Sequence, residues 1–409
     1  MPERMIVIGN PGNRRTAGLQ EARARLGMPP ALVVSYADLL HGKAGLAEAA
    51  KACGWNKGGW PPLLRLDAPG ESFVVERALI ALGAPDCPQA GHSEDRLLPY
   101  GDRPDPMPIS WDAALSMREQ HGRLYHPSQW FRGFGRLLAR LEQEAASCWQ
   151  ADVNWLNTPA DVLAMFDKRH THRVLQQAGV PVAPLLLSGG APIANYEALK
   201  EAMMKERMHR VFVKLASGSG ASGVIAYQLN PRTGAELAVT TMEIKRHIAR
   251  PPSFFNLLKP RRYTEQADIS LLVNWLLKHG AHVERWIAKS CYKGDAFDIR
   301  QLVVCGKACH SIARVSRTPI TNLHLRSKRM ELTRLGLNEA ALTAIRDSAE
   351  KALAAFSGSR VAGIDVIIDS QRQRPYIIDV NPFGDLIYRV QYEGSGTYDW
   401  ELRQLSEQH

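Results

Sequence analysis

The stretch YIIDVNPFGD, residues 376 to 385, reads as a buried strand that delivers Asp379 and Asn381 with one apolar residue between them. Upstream, VAGIDVIID reads as a partner strand carrying Asp365. The polar SQRQR between them is turn-like, and Pro375 is tolerated as the first residue of a strand. Pairing Asp369 with Pro375 sets Asp365 directly opposite Asp379, and strand alternation puts Asn381 on that same face. Two facing carboxylates repel, and both are desolvated beside Ile and Val. A hard cation relieves both penalties. Two carboxylates and an amide oxygen suit Mg²⁺, completed by phosphate and water. The other reading is that one Asp caps a turn and the other faces solvent.

Three further groups carry chemistry. Lys214 ends an apolar strand and directly precedes a Gly/Ser run containing Ser217, Gly218, Gly220 and Gly223. Such a loop lets backbone N–H groups close over phosphate while the ammonium neutralises it, although the GK[ST] ending of a Walker loop is absent. An ordinary flexible turn is the alternative. Glu284 sits in the apolar strand HVERWI, where it can accept from an adenine amino group beside Ile287 or make a strand-edge salt bridge. Asp298 and Arg300 share a strand face, Arg314 follows on the returning strand, and Arg317 comes three residues later. Arginines on a sheet face near Mg²⁺ suit a transferring phosphoryl group. A cross-strand charge ladder is the plainer reading.

The elements that must position these residues can be read from periodicity. MIVIG (5–9) and ALVVSY (31–36) flank a helical stretch ended by Gly27 and Pro29, which makes a parallel α/β unit. The GNPGNRR turn after the first strand lacks dinucleotide-loop spacing. Residues 84 to 110 read as a Pro/Asp-rich connection, and 111 to 148 as mostly helical. From Thr158 the signals predict a single helix with Thr158 as N-cap and Pro159 at N1, carrying Asp167 and Lys168 and closing at Gly179. Strands follow at 210–215 and 224–229, then a helix (TEQADISLLVNWLLKHG) and the HVERWI strand. Next come a hairpin about Gly306, a last helix (NEAALTAIRDSAEKALAAF) and the Asp-bearing strand pair.

A chain of 409 residues with 45% hydrophobic and 22% charged content is long enough for two or three domains with cores. No apolar run reaches the roughly 18–20 residues of a membrane span, and the N-terminus reads as a strand rather than a secretory signal. Six scattered cysteines without a CxxC pair fit reduced thiols and a cytoplasmic location better than a zinc site. The net charge of +10 favours anionic partners such as nucleotide phosphates. Neither a G-x-S-x-G elbow nor an H-E-x-x-H motif is present, so hydrolase chemistry lacks support.

In order, Lys168 in DK, Lys214 before the Gly-rich loop, VERWI, DIR, TNLH, Asp365 and DVN resemble the ATP-grasp fold, most of all the RimK-type amino-acid ligases and glutathione synthetases. The resemblance spans about residues 155 to 390. It implies an N-terminal parallel α/β domain followed by a two-subdomain α+β core that holds ATP. By it, Lys168, Lys214, Ser217, Gly218 and Gly220 contact phosphates, Glu284 and Ile287 the adenine, and Asp298 the ribose. Asp365, Asp379 and Asn381 hold Mg²⁺ (or Mn²⁺ in its place), while Arg300, Arg314 and Asn322 face the phosphoryl and acyl groups. The family phosphorylates a carboxylate and lets an amine attack the acyl phosphate, releasing ADP. A hydroxyl-phosphorylating kinase and a non-catalytic ATP-binding regulator are the rival readings.

The expected division is an N-terminal domain (1–110), a helical connection (111–154), a small subdomain (155–225), a basic insertion (226–262) and a C-terminal subdomain (263–409). This sequence departs from the family in three ways: Asp379 stands where Glu is usual, LRSKR follows TNLH in place of a Gly-rich turn, and residues 230 to 262 are inserted. The insertion mixes Lys245, Arg246, Arg250, Lys259, Arg261 and Arg262 with Phe254 and Phe255. It reads as a solvated hairpin packing its Phe residues, or as a surface for a peptide or tRNA acceptor. Small-molecule carboxylate and amine substrates are the simpler expectation. Arg123, Trp130 and Arg132 are candidates for the acceptor pocket.

Overall fold

The computed structural model describes residues 3–55, 61–88, 97, 105–150, 153–218, 220–325 and 327–407. Most of the Pro/Asp-rich connection expected at 84–110 lies outside the described residues, as does Ser219 in the Gly/Ser run.

Three sheets organise the chain. The first is parallel and joins β1 (Met5–Gly9), β2 (Leu32–Ser35), β3 (Leu63–Leu66) and β4 (Asn154–Trp155) in the order β2-β1-β3-β4. All five residues of β1 are buried, as befits a central parallel strand covered on both faces. Helix Arg14–Arg25 follows β1, capped by the Asn13 side chain and ended by Gly27 at φ +68°. Helices Phe73–Leu82 and Pro127–Trp149 cross on the same domain. They approach so closely that a Cβ on Gly133 would lie 1.8 Å from the Leu79 carbonyl oxygen, so only glycine fits there. The expected helical segment 111–148 is therefore two helices, Trp111–Leu115 and Pro127–Trp149, separated by a loop.

The second sheet is antiparallel, in the order β8-β7-β6-β5-β9: β5 (Arg210–Lys214), β6 (Val224–Leu229), β7 (Glu236–Lys245), β8 (Ser253–Tyr263) and β9 (His282–Arg285). The basic insertion forms the β7–β8 hairpin, with Phe254 buried in the subdomain core and Phe255 half-buried. Helix Gln266–Lys278 packs on this sheet, and β9 pairs with β5. The segment 266–285 thus joins the Lys214-bearing sheet rather than the C-terminal one.

The third sheet runs β13-β12-β11-β14-β15, with β10 (Cys291–Tyr292) added to β11. Its members are β11 (Asp295–Val304), β12 (Lys307–Ser316), β13 (Lys328–Met330), β14 (Val361–Ile368) and β15 (Pro375–Asn381). Every residue of β14 is buried. Ala362, Ile364, Val366 and Ile368 pack in the same core as helix Glu339–Ala354, while Asp365 and Ile367 face a cleft. That helix is not the last. Thr397–Glu407 follows, and its Tyr398 and Leu402 pack with Met5 and Val7 of the N-terminal domain.

Between the domains, the segment from Thr158 is two helices, Pro159–Phe166 and Lys168–Gln177, and not the single one expected. Asp167 leaves helical geometry (φ −90°, ψ 106°), and its carboxylate accepts from the backbone of Arg169 and His170. The break has a clear cause: a short carboxylate that caps a new first turn competes with continuing the old helix.

Candidate active site

An open cleft of about 1920 Å³ runs among the three sheets, and every residue that the resemblance assigns to nucleotide, metal or acyl group lines it. Arg317 is 86% exposed and lies 3.8 Å from Asp295, away from the cleft. Arg123 and Trp130 line the cleft; Arg132 does not.

The floor is the strand pair β14–β15, and its register holds a correction. Pro375 pairs with Ile368, not with Asp369, and Ile377 pairs with Val366. A register continued from there would turn Asp379 toward the helix-covered core. A bulge at Ile378 inserts one extra residue, after which Asp365 does pair with Asp379 and Gly363 with Asn381. The expected pair of carboxylates is thus present, but for a different reason. The Asn381 amide nitrogen donates to Gly363 O at 2.9 Å, which leaves Oδ1 as the atom for a cation. No cluster of three or more His, Cys, Asp or Glu suited to a metal occurs among the described residues, so any metal here relies on Asn381 or on substrate oxygens.

Both carboxylates already hold cations. Arg300 stands opposite Asp365 across β11–β14 and bonds it through Nε at 2.5 Å. Its Nη1 reaches Asp385 at 2.9 Å. Arg314 stands opposite Asp298 across β11–β12, bonds it bidentately at 2.7 Å twice, and reaches Asp365 with Nη2 at 3.0 Å. Strand alternation explains the pattern, since Asp298 and Arg300 are two apart and each finds its opposite charge on a different neighbouring strand. The result is the charge ladder Asp298–Arg314–Asp365–Arg300–Asp385. Burial would raise the Asp365 pKa, but Arg300 and Arg314 outweigh it and lower it. Lys168, first residue of its helix, donates to Asp379 Oδ1 at 2.9 Å.

The facing wall is β5 and its loop. Lys214 Nζ lies 2.5 Å from Glu284 Oε1, and His282 Nε2 lies 2.8 Å from Oε2. Phe212 pairs with Glu284 in the β5–β9 register, and Lys214 with His282. Burial pushes the Glu284 pKa up, but Lys214 and His282 overcome it and hold it at about 2. Glu284 is therefore an ionised acceptor. The loop after Lys214 closes tightly: Leu215 N–H donates to Gly223 O at 2.8 Å, and a Cβ on Gly218 would meet Ser222 O at 2.7 Å. Ser217, Gly218 and Gly220 line the cleft, as do Ile287 and Asn322.

Sequence reasoning missed two side chains. Lys289, two residues past Ile287, has a side chain only 7% exposed, which donates to Thr321 Oγ1 at 2.6 Å and lies 3.9 Å from Asp298. Burial pulls its pKa down to about 8 against the pull of Asp298. Nothing local marks it, because it follows β9 in an irregular segment. Asp385 closes the stretch YIIDVNPFGD, and its acidic type was the only signal. Arg15 from the N-terminal domain approaches it at 3.8 Å and donates to Phe383 O at 2.8 Å.

No family model matches this sequence, and no curated protein matches it in sequence. Its structure is similar to D-cycloserine synthetase DcsG, at 13% identity over 99% of each chain with a TM-score of 0.52. It is similar as well to the ATP-grasp ligase PsnB complexed with a minimal precursor, at 13% identity over 100% of each chain with a TM-score of 0.51. The chain has the ATP-grasp fold. No helix among the described residues is long and apolar enough to cross a membrane.

Proposed function

We propose that this chain is a carboxylate–amine ligase that uses Mg-ATP, forms an acyl phosphate and releases ADP. The observation that carries the reading is the ladder of Arg300 and Arg314 against Asp365, set beside Asp379 on one cleft floor.

Glu284, ionised and acceptor-only, suits the adenine amino group, with the backbone near Ile287 reading the ring edge. Lys168 and Lys214 neutralise phosphates beneath the amides of Ser217, Gly218 and Gly220. Both lysines now sit on carboxylates, so nucleotide phosphate replaces one anionic partner by another rather than uncovering a bare cation. Asp298 serves the ribose by resemblance; its carboxylate is also the anchor that orients Arg314.

Asp365, Asp379 and the Asn381 amide oxygen form an all-oxygen donor set that fits Mg²⁺ or Mn²⁺. The metal, when bound, supplies charge neutralisation between phosphates. In the first step a substrate carboxylate oxygen attacks the γ-phosphorus and the bond to ADP breaks. Arg300 and Arg314, fixed by their carboxylate partners, stabilise the negative charge on the transferring group without reorganising. In the second step an amine attacks the acyl carbon, loses a proton and expels phosphate. Small-molecule carboxylates and amines are the proposed substrates.

The test is ADP release from Mg-ATP with hydroxylamine present, against pools of carboxylates. ADP with a hydroxamate supports the acyl phosphate. ADP with a stable phosphorylated product instead identifies a kinase, and no ADP with any pool overturns catalysis.

A further inference from the structure

The cleft has two ends of opposite character. The nucleotide end carries Lys168, Lys214, Lys289, Arg300 and Arg314. The other end is built by the N-terminal domain and the loop and helix that follow residue 116, and it is aromatic. Phe73, Tyr125, Trp130 and Phe166 all line it and all remain half-buried. Phe73 and Tyr125 pack with centroids 5.5 Å apart, Trp130 and Phe166 also 5.5 Å apart. Phe166 in turn meets Phe383 at 6.2 Å, and Phe383 follows Asn381 by two residues. The aromatic wall therefore starts beside the strand that bears the candidate metal ligands and runs outward from it.

Apolar rings that stay open to a cleft are unusual on a monomer surface unless something covers them. The charges beside them say what. Glu76, one turn after Phe73 on the same helix, and Glu119 line this end, and neither has an ion pair among the described residues. Burial and the Glu119 charge raise the Glu76 pKa, the mark of a carboxylate without a cation. Arg123 stands 4.9 Å from the Tyr125 ring centroid on the same wall.

We propose that this end of the cleft binds the amine substrate and selects an aromatic amino acid: Phe73, Tyr125 and Trp130 cover its ring, Glu76 holds its ammonium and Arg123 its carboxylate. The inference deepens the ligase reading and rests on it for the word substrate. Half-exposed rings gain contact with a flat aromatic side chain through offset or edge packing. A small side chain leaves them wet. A free carboxylate and a guanidinium on one wall match a zwitterion at both poles.

The test is calorimetric titration of the full chain, with Mg²⁺ and a non-hydrolysable ATP analogue present, using L-phenylalanine, phenethylamine and L-alanine as probes. L-phenylalanine is expected to bind at least about tenfold tighter than L-alanine, with phenethylamine, which lacks the carboxylate, between them. Phe73→Ala and Trp130→Ala lie on different helices, so one remains informative if the other misfolds. Each should weaken L-phenylalanine about tenfold while leaving the affinity for the ATP analogue unchanged, and Glu76→Gln should weaken both aromatic probes. Equal affinity for L-phenylalanine and L-alanine, or unchanged binding in both Phe73→Ala and Trp130→Ala, overturns the proposal. Failure of the ligase reading shows separately, as no binding of the ATP analogue and no ADP release.

Discussion

Lys168 Nζ donates to Asp379 Oδ1 at 2.9 Å, with the two side chains 13% and 26% exposed. The ammonium and a metal would therefore compete for one carboxylate. Lys168→Met removes the competitor along with the proposed phosphate contact. The maximal rate of ADP release should fall about 10²-fold, while half-saturation by Mg²⁺ moves to lower concentration. A titration of rate against Mg²⁺ checks both, and an unchanged half-saturation point would show that the two cations do not share Asp379.

Asp365 stands between Arg300 and Arg314 and is 10% exposed. Asp365→Asn removes the charge but keeps the shape. ADP release should drop by about 10²–10³, measured beside circular dichroism to confirm the fold. Arg300 keeps Asp385 and Arg314 keeps Asp298, so thermal stability should fall less than for a buried pair with no second partner, about 3–5 kcal/mol.

Glu284 gives the fold a pH signature. Its folded pKa of about 2 lies below the ordinary value of 4.5. The stabilisation it gives is present above pH 4.5 and is lost as pH falls toward 2. A shift of this size corresponds to about 3 kcal/mol. Thermal melts of the native chain and of Glu284→Gln should differ most at pH 6 to 7, and the gap should close toward pH 2.5. A gap independent of pH would mean that Glu284 is not held ionised.

Lys289 acts with the opposite sign. Its folded pKa of about 8 lies below 10.5, so it opposes folding at neutral pH and does so less as pH rises from 8 to 10.5. Lys289→Met should raise the melting temperature at pH 7, with the gain shrinking by pH 10. The same variant should weaken nucleotide binding if the ammonium meets phosphate, which a competition assay reads.

Asn157, just after β4, ties the N-terminal sheet to β14. Its Oδ1 accepts from the backbone of Arg360 and Val361 at 3.0 and 3.1 Å, and its Nδ2 donates to Val361 O and Pro382 O. Asn157→Ala strands these backbone groups and should cost about 2–4 kcal/mol in urea unfolding. Asn157→Asp should be no better, because a carboxylate cannot donate to the two carbonyls. Native-like stability in Asn157→Asp would remove this clamp from the account.

The sequence by itself determined the local elements and much of the site. Alternation and turn residues marked β14 and β15, Pro159 and Thr158 marked a helix start, and Gly306 marked a hairpin, because each signal is carried by neighbours a few residues apart. The pairing of Asp298 with Arg314 was not within reach in the same way, because the register set at the Gly306 turn shifts by one residue between Gln301 and Val303. Only the tertiary structure decided the bulge at Ile378, the break at Asp167, the return of helix Thr397–Glu407 to the N-terminal domain and the burial of the Lys289 side chain. Each depends on what packs against the segment from far along the chain. A strand has period two, so whether Asp379 faces the cleft or the core hangs on one inserted residue, and the sheet and helix around it choose that insertion. Lys214 shows the same division: its place at a strand end is local, but the carboxylate that holds it arrives seventy residues later on β9.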